Sequence, residues 1–336
     1  MPKILIIAPA WVGDAVMAQP LFMRLKQRFP DAAIDAFAPP WVAPVLQRMP
    51  EINTVIDNPF GHGQLLFWDR LRTARALRTQ HYDQVIVLPN SLKSALIPFL
   101  AGIPLRTGFV GEFRYGLLND ARPLDEAAYP LMVERFALLA EPAHQAITRP
   151  VPKPRLRSNA AQQAATLSAL NLNLAQPVIA LCPGAEYGSA KRWPESHFAH
   201  LAQALQQRGF QVWIIGSEKD QTIGARITQL SQQACLNLCG QTSLDQALDL
   251  LGYATAVVTN DSGLMHVAAA LDKPLVALYG SSSPDFTPPL SDKAHILNLH
   301  LSCSPCFKRE CPLGHLNCLT QLSPDRVLTA LDPILG

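Results

Sequence analysis

The feature that most constrains this chain is a rhythm of short apolar runs, each stopped by a polar turn and followed by residues at helical spacing. In the first half, Ile4 to Ile7, Ala33 to Phe37 and Gln84 to Leu88 read as buried strands. They alternate with helical patterns such as Pro20 to Arg28 and Phe67 to Thr79. The second half restarts with an amphipathic helix from Asn159 to Leu170. Strands at Val178 to Cys182, Val212 to Ile215 and Leu275 to Tyr279 come after it, with a helix over Gln221 to Gln232. Strands that alternate with helices need crossover connections, hence a parallel sheet with helices on both faces. Between the halves, residues 141–157 (EPAHQAITRPVPKPRLR) carry four prolines and little periodicity, which marks a linker. A length of 336 residues exceeds what one core usually supports. The expectation is therefore an α/β protein of two Rossmann-like, doubly wound domains with facing carboxyl edges: an N-terminal domain over 1–150, a C-terminal domain over 151–320, and a closing helix over 321–336 that packs back toward the first domain.

The sharpest local signal is ATAVVTNDSGLMHVAAAL, from Ala254 to Leu271. Val257, Val258 and Thr259 read as a strand, and Leu264, Val267, Ala268 and Leu271 recur as a helix face. Asn260, Asp261, Ser262 and Gly263 thus sit at a strand-to-helix junction, on the edge of a parallel sheet where ligands bind. A helix start offers unpaired N–H groups and a partial positive charge to a phosphate. Ser262 is placed to cap that helix and Gly263 to let a bulky group approach; Asp261 and Ser262 acting only as a cap is the simpler alternative.

Three more loops fall at the same expected edge. CPGAEYGSAKRWP, from Cys182 to Pro194, combines Gly184 and Gly188 with Lys191 and Arg192, a composition suited to wrapping a diphosphate. Gly216 to Asp220 comes after the strand VWII; Glu218 there suits ribose hydroxyls, or equally caps the next helix. YGSSSPDFTPP, from Tyr279 to Pro289, reads as a rigid polar turn. In the first domain the matching turn is Trp11 to Ala15, from which Asp14 would project as a general base or cap the first helix. No GxxxxGK[ST] loop and no intact GxGxxG after the first strand is present, so P-loop hydrolysis and ordinary nicotinamide chemistry lose ground. A nucleotide diphosphate remains as the ligand class.

Composition narrows the rest. With 49% hydrophobic residues and a net charge of +2 the chain has ample core and no strong basic field, which argues against nucleic acid as a partner. The apolar start, MPKILIIAPAWVGDAVM, is interrupted too early for a signal peptide, and no run approaches a membrane span. A cytoplasmic protein is expected, with peripheral membrane contact left open. Seven cysteines, four of them at Cys303, Cys306, Cys311 and Cys318, do not read as a disulfide framework. The single Cys-x-x-Cys pair, with His315 nearby, lacks a paired-knuckle zinc spacing. Ordinary thiols in a surface loop are expected there, with a structural metal or redox pairing as the open alternative, and no metal, cofactor or part in the main chemistry is assigned to that cluster.

WVGDAVM, PNSLKSALIPFLAGIPLRTGFVGEFRYGLLND, CPGAEYGSAKRWP, VTNDSGLMHVAAAL and ALYGSSSPDFTPPLS together resemble the ADP-heptose:lipopolysaccharide heptosyltransferases. Within that family the chain is most similar to the branch acting on the first heptose of the inner core. The resemblance implies a glycosyltransferase-B fold and an inverting, metal-independent transfer of L-glycero-D-manno-heptose from ADP-heptose onto a lipid A-core glycolipid at the inner membrane surface. It makes Asp14 the general base and Lys191 the lysine on the donor phosphates, with both counted as catalytic. Glu218 becomes the ribose carboxylate, while Gly184, Asp261, Ser262, Gly263 and His266 join the donor site. Ser262 stands where related members carry threonine.

An acidic acceptor gives cations in the first domain a meaning. Asn90, Ser91, Lys93 and Arg114 are the expected acceptor contacts, and Arg70, Arg72, Arg75 and Arg78 repeat at near-helical intervals as further candidates, or as a plain solvated face. Two other functions stay open at this point: a sugar-nucleotide epimerase, or a non-catalytic sugar-nucleotide-binding protein on the same frame.

Overall fold

A computed structural model describes residues 1–61 and 66–335. Two compact units, Met1–Pro154 and Arg155–Gly336, divide the chain inside the proline-rich segment. The boundary lies between the last helix of one unit and the first of the next, where the backbone has no regular structure.

In the first unit β1 (Lys3–Ile7), β2 (Ala33–Ala38), β3 (Thr54–Asp57), β4 (Gln84–Val87), β5 (Leu105–Phe109) and β6 (Asp120–Arg122) form one parallel sheet. Its helices are α1 (Val12–Met17), α2 (Gln19–Arg28), α3 (Ala43–Gln47), α4 (Phe67–Arg78), α5 (Leu92–Leu100) and α6 (Met132–Leu138). The order β3-β2-β1-β4-β5-β6 sends the chain outward in opposite directions from β1 and β4. A crevice opens at the carboxyl ends of two such neighbours. The edge strand β6 is held by polar bonds, with Thr107 Oγ1 donating to Asp120 at 2.9 Å and Arg122 pairing with Asp120 at 2.6 Å.

The second unit repeats the plan. Its strands are β7 (Val178–Cys182), β8 (Gln211–Ile214), β9 (Leu236–Asn237), β10 (Ala256–Asn260), β11 (Leu275–Tyr279) and β12 (Ala294–Asn298), ordered β12-β11-β10-β7-β8-β9 and all parallel. Its helices are α7 (Ala160–Ala169), α8 (Glu195–Gln207), α9 (Gln221–Leu230), α10 (Leu244–Tyr253), α11 (Gly263–Ala270), α12 (Asn317–Thr320) and α13 (Pro324–Leu335). β7, β10 and β11 are buried along their whole length, as strands covered on both faces by helices must be. Local signals mark the helix starts: Asn159 accepts from the N–H groups of Ala161 and Gln162 at the head of α7, and Ser243 with Gln246 closes a capping box on α10.

The closing helix packs into the core of its own unit. α13 buries Val327, Leu328 and Leu331 in the core of the second unit, among Trp193, Phe198 and Leu201 of the α8 region. Trp193, 1% exposed, adds a polar tie by donating its indole N–H to the Leu322 carbonyl at 2.7 Å. The amphipathic pattern of α13 needs an apolar partner, and its own sheet supplies one. Replacing Leu331, which is fully buried, with alanine should lower stability by about 2–5 kcal/mol, read as a lower urea midpoint in equilibrium unfolding.

Candidate functional site

In the second unit β7 and β10 are the neighbours from which the chain departs in opposite directions, and both expected donor loops leave from their ends. The loop after β7 runs through Gly184 into a short turn, Ser189–Lys191, before α8. The turn after β10 holds Asp261 and Ser262 before α11. Across the crevice Lys191 Nζ meets Asp261 Oδ2 at 2.5 Å. The pair is shielded, with Asp261 5% exposed and Lys191 half-buried. Lys191 also sits 5.3 Å from the ring centre of Tyr187.

Asn260, fully buried at the end of β10, holds these loops together. Its amide N–H donates to the Pro183 carbonyl at 2.7 Å, and its Oδ1 accepts from the Trp193 backbone N–H at 3.1 Å. One side chain therefore fixes both ends of the Lys191 loop against the Asp261 turn. In the sequence Asn260 stands out only as one member of a polar cluster. A polar residue at the inner end of an apolar strand is the available signal.

Ser262 occupies the N-cap position of α11 but does not cap with its side chain, which corrects that expectation. Its hydroxyl lies instead 3.3 Å from Thr259 Oγ1. Gly263 opens α11, and one turn further His266 is 5% exposed. Burial pushes the His266 imidazole down to about 4, with the Lys191 cation acting the same way and Asp261 opposing both. His266 is thus a neutral ring beside the ion pair.

Beyond β8, the capping alternative for Glu218 belongs to Asp220. Its carboxylate accepts from Ser217 N–H at 2.9 Å and Ser217 Oγ at 2.7 Å. Glu218 stays exposed, open to a ligand. The Asp220 carboxylate also explains Gly184, where a Cβ would come within 2.5 Å of Asp220 Oδ2. Only glycine lets the two loops lie so close. Along the loop after β11, Ser281 and Ser282 are 2% and 4% exposed with hydroxyl oxygens that have no hydrogen-bond partner among the described residues. Serine runs in turns are common, so nothing in the sequence singles out these two.

The cysteine-rich segment, set apart from the main chemistry in the sequence, is physically joined to it. The Arg309 carbonyl accepts from Ala190 N–H at 3.0 Å, and Tyr187 Oη donates to the Phe307 carbonyl at 3.0 Å. A Cβ on Gly188 would collide with the Arg309 carbonyl. Cys303, Cys306, Cys311 and Cys318 are free and line one cavity with His315, Ala190 and Ser281. Among the described residues no group of three or more His, Cys, Asp or Glu side chains is arranged to hold a metal ion.

In the first unit β1 and β4 define the equivalent crevice. Asp14 lies in the first turn of α1, half-buried, so it belongs to the helix rather than to the turn before it. The Trp41 indole steadies that turn by donating to the Ala10 carbonyl at 2.9 Å. After β4, Asn90 is exposed, while Ser91 caps α5 by accepting from Ser94 N–H at 3.3 Å and Lys93 is half-exposed. Arg114 departs from its expected role as an acceptor contact. It is 2% exposed and donates to the carbonyls of Pro89 at 2.7 Å and Phe109, and to Asn90 Oδ1 at 3.1 Å. Its guanidinium is occupied in bracing the Asn90 turn. The arginines of α4 likewise divide: Arg70 is buried against Phe60, and Arg78 closes the carbonyl end of α5, donating to Leu100 at 2.8 Å. Arg72 and Arg75 stay exposed.

The buried neutral His266 makes stability depend on acid. In the unfolded chain the ring takes up a proton near its ordinary value of 6.5, well above the folded value of about 4. Its contribution is complete above 6.5 and drains away as pH falls toward 4, by roughly 1.4 kcal/mol per pH unit. The His266→Gln variant should show a flatter decline of melting temperature across that window than the parent, measured by differential scanning fluorimetry.

Comparison with known proteins finds relatives along the whole chain. The family model for glycosyltransferase family 9 (heptosyltransferase) matches residues 70–317. Lipopolysaccharide heptosyltransferase 2 of Salmonella typhimurium is 49% identical over 99% of both chains. The protein of that name from Escherichia coli K12 is also 49% identical, covering 99% of this chain and 98% of its own. Among solved structures, E. coli ADP-heptose lps heptosyltransferase II superposes with a TM-score of 0.90 at 47% identity, covering 99% of this chain and 98% of that one. A family 9 glycosyl transferase from Veillonella parvula, 20% identical, shares the fold with a TM-score of 0.84 over 99% of this chain and 97% of its own. With two Rossmann-like units, a built crevice around Lys191 and Asp261, and relatives this similar along the whole length, the chain belongs to glycosyltransferase family 9, the heptosyltransferases.

Proposed function

We propose that this protein transfers L-glycero-D-manno-heptose from ADP-heptose onto the first heptose of the lipopolysaccharide inner core, with inversion at the anomeric carbon. The observation that carries the reading is the Lys191–Asp261 pair at the β7/β10 crevice, clamped by Asn260 and backed by neutral His266. A cation already held at a helix start is the equipment a departing diphosphate needs. Before the donor arrives, Asp261 satisfies Lys191. The diphosphate then competes for the ammonium group, which frees the Asp261 carboxylate to accept from sugar hydroxyls. The Gly184 loop and the first N–H groups of α11 at Gly263 complete the anion cradle, Ser262 adds a hydroxyl, and exposed Glu218 takes the adenosine ribose.

Asp14 is the proposed general base. It removes the proton of the acceptor hydroxyl as that oxygen attacks, while Lys191 stabilises the charge growing on ADP. Asn90, Ser91 and Lys93 are the proposed acceptor contacts, with Arg114 holding Asn90 in place. The acceptor is a lipid A-core glycolipid, and the protein works as a peripheral enzyme on the cytoplasmic side of the inner membrane. Among the described residues no helix is long and apolar enough to cross a membrane.

ADP-heptose and heptosyl-Kdo2-lipid A supplied to the parent protein should give a diheptosyl product, seen by mass spectrometry; no product would sink the transferase reading. Asp14→Ala should lower kcat by about 10²–10⁴-fold, and full activity there would remove only the base assignment. Lys191→Ala should cost about 10²–10³-fold in kcat, as loss of a charge-stabilising donor does.

A further inference from the structure

The first unit displays large apolar side chains that no described residue of the unit covers. Trp68 is 77% exposed on α4, beside Phe67 at 42%. Trp68, Arg72 and Arg75 are spaced i, i+4 and i+7, so they share one solvent face of the helix. A second group stands on the turn after β5, where Phe113 is 88% and Tyr115 69% exposed.

Hydrogen bonds join the two groups. Arg70, at the start of α4, donates to the Lys93 carbonyl at the start of α5 at 3.4 Å. The backbone N–H of neighbouring Leu92, itself 38% exposed, donates to Glu112 Oε2 at 2.8 Å, directly before Phe113. The start of α4, the start of α5 and the Phe113 turn are therefore adjacent on the carboxyl side of the sheet. Buried Arg114 ties that turn to Pro89, Asn90 and Phe109, so Phe113 is held outward on a braced support.

We infer that this patch docks the protein on an anionic phospholipid surface. Exposed apolar groups on this scale mark an interaction site. Trp, Phe and Tyr beside cations are the composition that partitions to the headgroup boundary of a bilayer. The charges fit an anionic surface: Asp69 is paired with Arg72 at 3.7 Å and the Glu112 carboxylate lies in the field of the Arg114 guanidinium, leaving Arg75 and Lys93 as surplus cations. The side chains project outward instead of lining a groove, which suits insertion between headgroups. The assignment of purpose rests on the lipid-linked acceptor proposed above, since this surface adjoins the Asn90 to Lys93 turn.

The full-length protein is mixed, without any acceptor, with vesicles of phosphatidylethanolamine and phosphatidylglycerol or of phosphatidylcholine alone, and separated by flotation. The parent should float with the anionic vesicles and far less with the neutral ones. Trp68→Ser combined with Phe113→Ser should weaken partitioning about tenfold or more. Arg75→Gln should weaken it roughly fivefold. The aromatic double variant should keep the parent rate on a deacylated, water-soluble acceptor while losing rate on acceptor embedded in vesicles. The inference is overturned if the parent stays in solution with anionic vesicles, or if the variants float as well as the parent. It is equally overturned if these residues prove to drive self-association in sedimentation experiments. Vesicle binding without heptosyl transfer would overturn the proposed function and leave the docking surface standing.

Discussion

The second unit's crevice depends on a buried amide. Asn260 has one donor bond and one acceptor bond to two backbone points on either side of the Lys191 loop, and it sits in a fully buried place where neither bond can be exchanged for water. An unmade bond there costs the desolvation of the group, so the clasp is effectively all or nothing. Its consequence is register. Lys191 reaches Asp261 from seventy positions away in the chain because both flanks of its loop are fixed to the strand that delivers Asp261. Trp193, positioned by the same bond, extends the constraint to α13 through Leu322, so the last helix and the crevice share one anchor.

Burial of charge is used in two different ways. Around Lys191 the partners are side chains that a ligand can displace, Asp261 and the Tyr187 ring. Around Arg114 they are carbonyl groups of the protein's own loops, which no ligand replaces easily. The first arrangement leaves a cation available to an incoming anion. The second turns an arginine into a structural strut. Sequence spacing cannot separate the two, because which atoms surround a guanidinium depends on loops that meet only in the folded chain.

The central strands are legible in the sequence because they are covered on both faces and must be largely apolar, as in VIALC of β7 and the Ala256 to Val258 run of β10. The edges are not. β6 reads Asp-Ala-Arg, β9 has two residues, and β12 is largely open to solvent, so none shows an apolar run. The polar junctions at the ends of the central strands are visible for the same reason as the strands themselves. Within them the exact roles shift: Asp220 rather than Glu218 closes a capping box with Ser217, and the Ser217-x-x-Asp220 spacing carries the signal. Ser262 sits at a cap position without capping, since its hydroxyl turns to Thr259.

The cysteine-rich segment holds the Lys191 loop chiefly through its main chain. The carbonyls of Arg309 and Phe307 accept from Ala190 and Tyr187, and the Phe307 N–H donates to the Ser281 carbonyl at 2.7 Å. Main-chain groups are the same whatever residue carries them. Substitutions along this stretch can therefore accumulate quietly, whereas a single insertion or deletion would move the carbonyls out of phase with the loop they support. What this wall transmits to descendants is a length, and its lettering is free to drift.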